Sequence, residues 1–408
     1  MKNISTFLLE SQTINEGGMS GHMAHPIDYD EFMQDDLIDL VTKLFKGEIT
    51  DITEKIDGTN IQATMNQEGE VVFIRNKGDL NSDKGGMSIT DMAEKWKDKP
   101  SVAQTFITAG ETITKVFNKI GKDFFNPDQE TRLVINCECV IEGVTNIMPY
   151  SAAQVDFHNI WIYKKAMVGW QNDSVTKDGL DKLAKASEGI EGAQITPKVI
   201  IGITKDSNKL IDKYTKEIQR LFNNQNITIK EYKLNRFNQY LKENSYNWIL
   251  DDVKGYSALF ERWFNADKSM NLRELKKLYS DHVDELMQLD KTGYKDIVSS
   301  CIEPLDDLFL GIGYDIIGLC KGLLNQDNNE KVIHHLNDEL SKTIKQVKAE
   351  GSATAQSKLA KQLKRLSKLN NNISSAEGIV FIYKGKLMKL TGAFAPLNQI
   401  LGSIKFSK

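Results

Sequence analysis

The residue with the clearest chemical potential is a lysine that stands directly before an Asp-Gly step. Lys55 is followed by Ile56, Asp57 and Gly58, and predicted strands flank this segment on both sides. A lysine amine is a nucleophile only when it is uncharged, whereas the free side chain has a pKa of about 10.4. Neighbouring cations disfavour the ammonium form, and Arg75 is one candidate. Asp-Gly is also an ordinary hairpin turn, so the segment alone fits either a nucleophile or a turn.

Further charged residues follow on predicted strands, in a defined order along the chain. Arg75 ends one strand, Glu138 lies within another, Glu377 opens a third, and Lys389 lies in the last. Within residues 134–141 the period of two places Glu138 on one face, together with Asn136. The opposite face of that strand is then the core face, formed by Ile135, Cys137, Cys139 and Ile141.

These segments together resemble the motifs of the covalent nucleotidyltransferase superfamily. The run from Glu54 to Asn60, Glu-Lys-Ile-Asp-Gly-Thr-Asn, is especially similar to that of RNA ligases. The resemblance implies an ATP-dependent polynucleotide ligase that joins 5′-phosphate and 3′-hydroxyl ends through a lysyl-AMP intermediate and an adenylylated 5′ end. It also implies Mg²⁺ and a ligase-type fold, and it covers roughly residues 50–165 and 375–392.

The resemblance assigns a role to each motif residue. Lys55 takes AMP from ATP, Arg75 contacts the nucleotide and the incoming phosphate, and Lys389 neutralises phosphate charge in the transition state. Glu377 holds the metal on the α-phosphate, and Glu138 touches the ribose hydroxyl or a metal-bound water. The predicted nucleotide-binding residues are Glu54, Lys55, Ile56, Asp57, Gly58, Asn60, Arg75, Glu138, Phe157, Glu377 and Lys389.

Two assignments have rivals. In the aromatic strand, Phe157 is preferred for stacking on adenine and Trp161 is nearly equal to it, because the family's Phe-Asp step is missing. In the middle strand, Glu142 competes with Glu138 in a neighbouring register. The Cys-x-Cys pair in that strand lacks a second nearby pair, so core cysteines are favoured over a metal site.

The last motif departs from the family pattern. Thr391 stands where a second lysine is expected, so Lys389 acts alone or together with Lys386. Because only 16 residues follow Gly392, we expect no C-terminal oligonucleotide-binding barrel, and RNA ends are preferred to DNA nicks as the substrate. The alternatives are a DNA ligase, a guanylyltransferase that forms lysyl-GMP, and a nucleic-acid-binding protein on a decayed ligase fold.

The composition bears on partners and location. The net charge is −4, so any contact with nucleic acid must come from local clusters. One such cluster is a basic amphipathic helix at residues 358–368, which is either a solvated face or a backbone-binding face. Four cysteines without a dense paired framework, and no long apolar segment, predict a cytoplasmic protein, in the host cytoplasm if the gene is viral, that does not enter membranes.

The periodicity predicts an α+β fold. Strand-like runs alternate with helices up to about residue 207, helical periodicity fills 208–370, and a hairpin closes the chain. We therefore predict a nucleotidyltransferase domain of antiparallel sheets and helices over 1–207 and 371–408, interrupted by an all-α domain over 208–370.

Overall fold

A computed structural model describes residues 23–140, 147–150, 153–167, 169–369 and 373–405. The described chain is α+β with mainly antiparallel sheets, as the periodicity predicts. It forms two compact units. Of the described residues, those within Met1–Ala24, Gly47–Ile203 and Gly313–Lys408 form unit 1, and those within His25–Lys46 and Thr204–Ile312 form unit 2.

The helices of the described residues are, in chain order, α1 (Gln34–Phe45), α2 (Lys77–Leu80), α3 (Ile89–Lys95), α4 (Pro100–Ile120), α5 (Lys122–Phe125), α6 (Leu180–Ser187), α7 (Ser207–Leu221), α8 (Ile229–Glu243), α9 (Asn247–Leu250), α10 (Val253–Phe264), α11 (Leu272–Leu278), α12 (Val283–Gln288), α13 (Tyr294–Leu319), α14 (Asn329–Glu350), α15 (Ala353–Lys368) and α16 (Phe394–Lys405). None of these helices combines the length and the apolar character that crossing a bilayer requires.

The strands are β1 (Thr53–Lys55), β2 (Thr59–Met65), β3 (Val71–Ile74), β4 (Thr131–Val140), β5 (Gln154–Ala166), β6 (Gly169–Thr176), β7 (Ala193–Ile195), β8 (Ile200–Ile201), β9 (Cys320–Lys321), β10 (Gly378–Tyr383) and β11 (Lys386–Thr391). A small sheet has the order β1-β10-β11, and a large sheet has the order β3-β2-β4-β5-β6 with β7 paired to β5. The predicted closing hairpin is confirmed as β10 and β11, joined at Lys384 and Gly385, which have positive φ angles.

Helix α4 covers one face of the large sheet. Pro100 stands in its first turn, and its apolar residues recur at helical spacing, so one side of the helix is buried. Under it lie the residues that alternation places on the core face of β4, of which Ile135, Cys137 and Cys139 are described and fully buried. Burial raises the pKa of both thiols, which fits packing rather than metal binding.

The unit boundaries differ from the predicted domains. Helices α14 and α15 belong to unit 1, although the sequence predicted them to be part of the helical domain. In α14, Val332 and Leu336 pack in one buried cluster with Ile56 and with Phe394 of α16. Helix α1, by contrast, belongs to unit 2. Helical periodicity reveals an apolar face but not the core that this face covers, which is why the predicted boundaries differ from those of the units.

Unit 2 has its own core, centred on the fully buried rings of Phe237 and Phe260. At the edge of this core Arg262 donates two hydrogen bonds to Asp290, at 2.6 and 2.9 Å, and the indole N–H of Trp263 donates to the same carboxylate at 3.1 Å. A carboxylate with three donors is well satisfied despite partial burial. We assign this cluster a structural role.

Candidate active site

Lys55 and Lys389 share one face of the small sheet. Lys55, the last residue of β1, pairs with Gly378, while Val380 pairs with both Thr53 and Lys389. Directly paired residues of neighbouring strands point to the same face, and so do residues two apart within a strand. The side chains of Lys55 and Lys389 therefore lie on one face of the sheet, with Gly378 of the central strand between their strands.

The glycines of both motifs are required by close approaches of the backbone. A Cβ atom at Gly58 would lie 2.5 Å from the carbonyl oxygen of Cys139, and one at Gly378 would collide with the carbonyl oxygen of Leu390. Strands β1 and β2, on either side of Asp57-Gly58, belong to different sheets. The hairpin-turn interpretation is therefore wrong, because this segment carries the chain from the small sheet to the large one.

Glu377 forms an ion pair with Lys55, its oxygen Oε1 meeting the ammonium nitrogen. The carboxylate is 7 % exposed, and its other oxygen, Oε2, has no hydrogen-bond partner among the described residues. Burial raises the pKa of Glu377 to about 7, and the positive charges of Lys55 and Lys389 oppose that rise. A buried carboxylate oxygen without a donor is costly unless a cation or a proton occupies the position beside it.

Asp57 is held by the neighbouring loop. Its Oδ2 accepts hydrogen bonds from the backbone N–H groups of Ile147 and Met148, the latter at 2.8 Å, and its own N–H donates to the hydroxyl of Tyr150 at 2.8 Å. Ile56, one residue earlier, is buried in the cluster that Val332 joins. The structure therefore uses both side chains to fix the turn that positions Lys55, although the sequence predicted that they bind the nucleotide.

Three predicted residues come together on the face of the large sheet that is opposite to the Cys137 face. Asn60 of β2 is paired with Glu138 of β4, and its side-chain N–H donates to Asn136 at 2.9 Å and to Glu138 at 3.4 Å. Arg75 donates through Nη1 to the carbonyl oxygen of Asn60 at 2.5 Å. Burial lowers the pKa of Arg75, and the carboxylate of Glu138 is the strongest opposing influence. The rival residue Glu142 lies outside the described residues.

Phe157 is not available for stacking. It is fully buried beneath α4 in the cluster that contains Phe117, Cys137 and Ile160. Its partner across the sheet is Cys137, a core-face residue. The prediction that Phe157 stacks on adenine is therefore wrong. Trp161, in contrast, pairs with Val134, which alternation places on the Glu138 face, and it is only half-buried.

Sequence reasoning missed two buried residues of the same strand. Asp156 pairs with Glu138 and accepts hydrogen bonds from Gln154 and Gln194, and burial raises its pKa to about 6. His158 is buried, with its Nδ1 2.8 Å from the hydroxyl of Thr196. Burial, followed by the charge of Lys55, lowers the pKa of His158 to about 3, so the imidazole is neutral. Alternation within β5 could not have pointed to Asp156, because the register shift between β4 and β5 brings it opposite Glu138, and nothing in the sequence indicates the environment of His158.

Lys389 is tied into the fold by its backbone, since its N–H donates to the carbonyl oxygen of Ala24 at 3.0 Å. Lys386 is three residues away on β11, so alternation places its side chain on the opposite face. Thr391, where the family has a second lysine, is buried on the same face as Lys389. Of the two candidate lysines, only Lys389 therefore faces the side of the sheet that carries Lys55.

Glu54 has its side chain in the protein interior and not on the Lys55 face. It is fully buried, and its Oε2 accepts a hydrogen bond from the backbone N–H of Leu324 at 2.6 Å. Burial raises the pKa of Glu54 to about 7, and the charges of Asp156 and Glu377 add to this rise. The predicted contact of this side chain with the nucleotide is wrong, because it packs against the segment that follows α13.

Glu54→Gln is expected to stabilise the protein at alkaline pH. A carboxyl group whose pKa is raised from 4.5 to about 7 on folding stabilises the fold below the unfolded pKa, and this stabilisation is lost as the pH rises through about 7. The difference in free energy of unfolding between variant and wild type should grow by about 2 to 3 kcal/mol between about pH 5 and pH 8. Urea titrations at both pH values measure it. An equal effect at the two pH values would contradict the expectation.

The carboxylate of Glu377 suits Mg²⁺, which needs few protein ligands, better than it suits a metal ion that is bound by protein ligands alone. The described residues contain no group of three or more His, Cys, Asp or Glu side chains arranged to hold a metal ion. Mg²⁺ typically uses one or two carboxylates together with substrate phosphates and water. The buried Oε2 of Glu377, which lacks a donor among the described residues, fits one such ligand.

Comparisons of the chain with protein-family models, curated proteins and solved structures gave no match. Function must therefore be inferred from the chemistry of the site. Lys55, Glu377 and Lys389 lie together at the small sheet, and such a set of amines and a carboxylate can bind a polyphosphate and present an amine to it.

Proposed function

We propose that this protein is an ATP-dependent polynucleotide ligase of the covalent nucleotidyltransferase type, in which Lys55 becomes transiently adenylylated. The observation that carries the proposal is the ion pair between Lys55 and Glu377, residues more than 300 positions apart in the sequence, with Lys389 on the same face of the sheet. Lys55, Glu377 and Lys389 are the residue types that the resemblance requires, in the order that it requires, although Thr391 departs from the last motif. The finer fold assignment, a ligase-type nucleotidyltransferase domain in unit 1, belongs to the same proposal.

The cycle consists of three displacements at phosphorus. The uncharged amine of Lys55 attacks the α-phosphorus of ATP, a P–N bond forms, and pyrophosphate leaves with the electrons of the broken P–O bond. A 5′-phosphate end then takes the AMP from Lys55, and a 3′-hydroxyl finally displaces AMP to form the phosphodiester. Such steps depend chiefly on positioning and on neutralising phosphate charge, and Lys389 and Arg75 supply the charge.

In the ion pair with Glu377, Lys55 is in its resting state, before it reacts. The carboxylate of Glu377 favours the ammonium form of Lys55, so the amine must lose this partner before it can attack. Mg²⁺, when bound at Glu377, would neutralise the carboxylate and polarise the α-phosphate. Lys389, on the same face as Lys55, adds a like charge that disfavours the ammonium. Glu138 and Asn60 then fit the ribose hydroxyls, because they lie on the adjoining sheet.

Trp161 takes the adenine-stacking role in this proposal. Trp161→Ala should weaken ATP binding about tenfold, since stacking on an aromatic ring contributes about 1 to 3 kcal/mol. Phe157→Ala should instead lower the free energy of unfolding by about 3 to 5 kcal/mol, because it opens a cavity beneath α4. Calorimetric titration with ATP and urea unfolding separate the two effects. Equal ATP affinities of the Trp161 variant and the wild type would exclude Trp161 from the base site.

The first test is covalent labelling. Incubation with Mg²⁺ and ATP or GTP labelled at the α-phosphate, followed by denaturing electrophoresis, should label the protein from ATP and not from GTP. Labelling from GTP alone would favour a guanylyltransferase. No label from either nucleotide, with RNA binding retained, would favour a binding protein on a decayed ligase fold, the alternative that the threonine at position 391 supports.

The second test identifies the substrate. Single-stranded RNA, nicked duplex RNA and nicked duplex DNA, each with a 5′-phosphate and a 3′-hydroxyl, are offered in parallel, and the joined product is resolved by length. We expect RNA ends to be sealed faster than the DNA nick. Faster sealing of nicked DNA would make the protein a DNA ligase and would leave the lysyl-AMP chemistry unchanged.

A further inference from the structure

Positive charge is concentrated from the last part of α14 through α15 to the residues before Glu377. Residues 340–376 contain eight basic residues and one acidic residue, Glu350. Since the whole chain carries a net charge of −4 and this segment +7, the remaining residues together carry −11. A segment this basic within an acidic chain creates a local positive field. Such a field attracts a polyanion to one surface while the rest of the protein repels it.

The basic residues of α15 form a stripe. At 100° per residue they fall within an arc of about 120° on the helix surface. The members of this stripe are Lys358, Lys361, Lys364, Arg365 and Lys368. Lys358, Lys364 and Lys368 are exposed, Lys361 is half-buried, and Arg365 is buried at 8 % exposure. A helix of 16 residues is about 24 Å long, a length that matches several phosphates of a nucleic-acid strand.

The apolar side of α15, which adjoins the stripe, is already buried in unit 1. Leu359 and Leu366 are 5 % and 3 % exposed, and Gln362 donates to the side chain of Gln399 in α16 at 2.5 Å. A membrane-surface helix needs a free apolar face to insert between lipids. Because the apolar face of α15 is occupied, its basic stripe suits a polyanion in water and not a lipid surface.

The stripe also lies close to the candidate active site along the chain. Lys368 ends α15 and is nine residues before Glu377. Nine residues span at most about 30 Å, a distance of only a few nucleotides. Asn325 donates to the carbonyl oxygen of Ser375 at 3.3 Å, which fixes the end of this connection next to Glu377. A strand bound along α15 can therefore have its end in the site.

We propose that the basic stripe of α15 binds the phosphate backbone of the polynucleotide substrate. The identity of the bound polynucleotide as the substrate rests on the proposed function. The binding of a phosphate backbone to the stripe does not depend on it. Contacts with phosphates do not read bases, so the stripe sets affinity and register without sequence preference. Lys345 and Lys348, near the end of α14, are exposed as well and add to the positive charge of this segment.

The test is the salt dependence of RNA binding by a charge-neutralised stripe. The variant carries Lys358→Gln, Lys364→Gln and Lys368→Gln. Its matched control carries Lys205→Gln, Lys209→Gln and Lys216→Gln, three exposed lysines at or near α7. The probe is a labelled 20-nucleotide single-stranded RNA with a 5′-phosphate, and binding is followed by fluorescence anisotropy from about 50 to 300 mM KCl. Circular dichroism verifies that both variants are folded.

Binding by the stripe variant should be weaker by about tenfold or more at about 0.1 M salt. The slope of log affinity against log salt should fall by about 2, three contacts at about 0.7 each, and the control should match the wild type. Wild-type affinity and slope in the stripe variant, or no RNA binding by the wild type, would overturn the inference. Labelling of Lys55 by ATP needs no RNA, so its absence would refute the proposed function while leaving the stripe's result to be judged on its own.

Discussion

Lys55→Arg is expected to remove covalent AMP from the protein altogether, a loss of roughly 10⁴-fold or more in the adenylylation rate. Arginine keeps a positive charge that can still meet Glu377, so the buried carboxylate retains a partner. The guanidinium, however, does not lose its proton in proteins, and it cannot act as a nucleophile. The measurement is α-phosphate label from ATP retained on the denatured protein.

The matched control is Lys386→Arg, on the same hairpin but on the opposite face of β11 from Lys389. We expect it to label as the wild type does. A substrate that already carries AMP on its 5′ end should still be joined by Lys55→Arg, because the last displacement uses a 3′-hydroxyl and not the lysine. Persistent labelling of Lys55→Arg would place the nucleophile elsewhere and would end the proposal.

The order of the motifs and the alternation within strands were predictable from the sequence, because both follow from local rules. Period two placed Glu138 opposite Cys137 and Cys139, and β4 has this arrangement. The closing hairpin also formed as predicted. Local rules do not predict which strands become neighbours, and it is the fold that brings Glu377 to Lys55. Here the resemblance of the motifs to a known family supplied the expectation.

The failure at Phe157 has a specific cause. Phe157, Asn159 and Trp161 are two residues apart, so an uninterrupted strand would present all three on the Glu138 face. The register between β4 and β5 shifts at Asn136 and Cys137, and this irregularity moves Phe157 to the core face. A bulge depends on the partner strand, so alternation within one strand cannot reveal it. The hydrogen bond from the backbone of Leu324 to Glu54 likewise joins residues far apart in the chain, so the sequence could not predict that Glu54 is buried.

Glu377→Gln distinguishes two roles of this carboxylate, as the ion-pair partner of Lys55 and as a proposed ligand for Mg²⁺. As a partner in the ion pair, the carboxylate stabilises the ammonium, so replacing it with a neutral amide should lower the pKa of Lys55 and speed its attack. In the proposed role as a ligand for Mg²⁺, the carboxylate would be required, and its loss should slow adenylylation by about 10²- to 10³-fold. The two roles thus give opposite signs for one substitution.

We expect the loss, because the buried Oε2 of Glu377 has no donor among the described residues and suits a cation. Unfolding does not account for such a loss, since burial raises the pKa of Glu377 to about 7 and the amide removes the cost of its charge above that pH. The measurement is the single-turnover labelling rate over a range of Mg²⁺ concentrations. Glu54→Gln serves as the control, being a neighbouring buried carboxyl that lies off the Lys55 face. Faster labelling by Glu377→Gln would show that this carboxylate restrains the nucleophile instead of serving the metal.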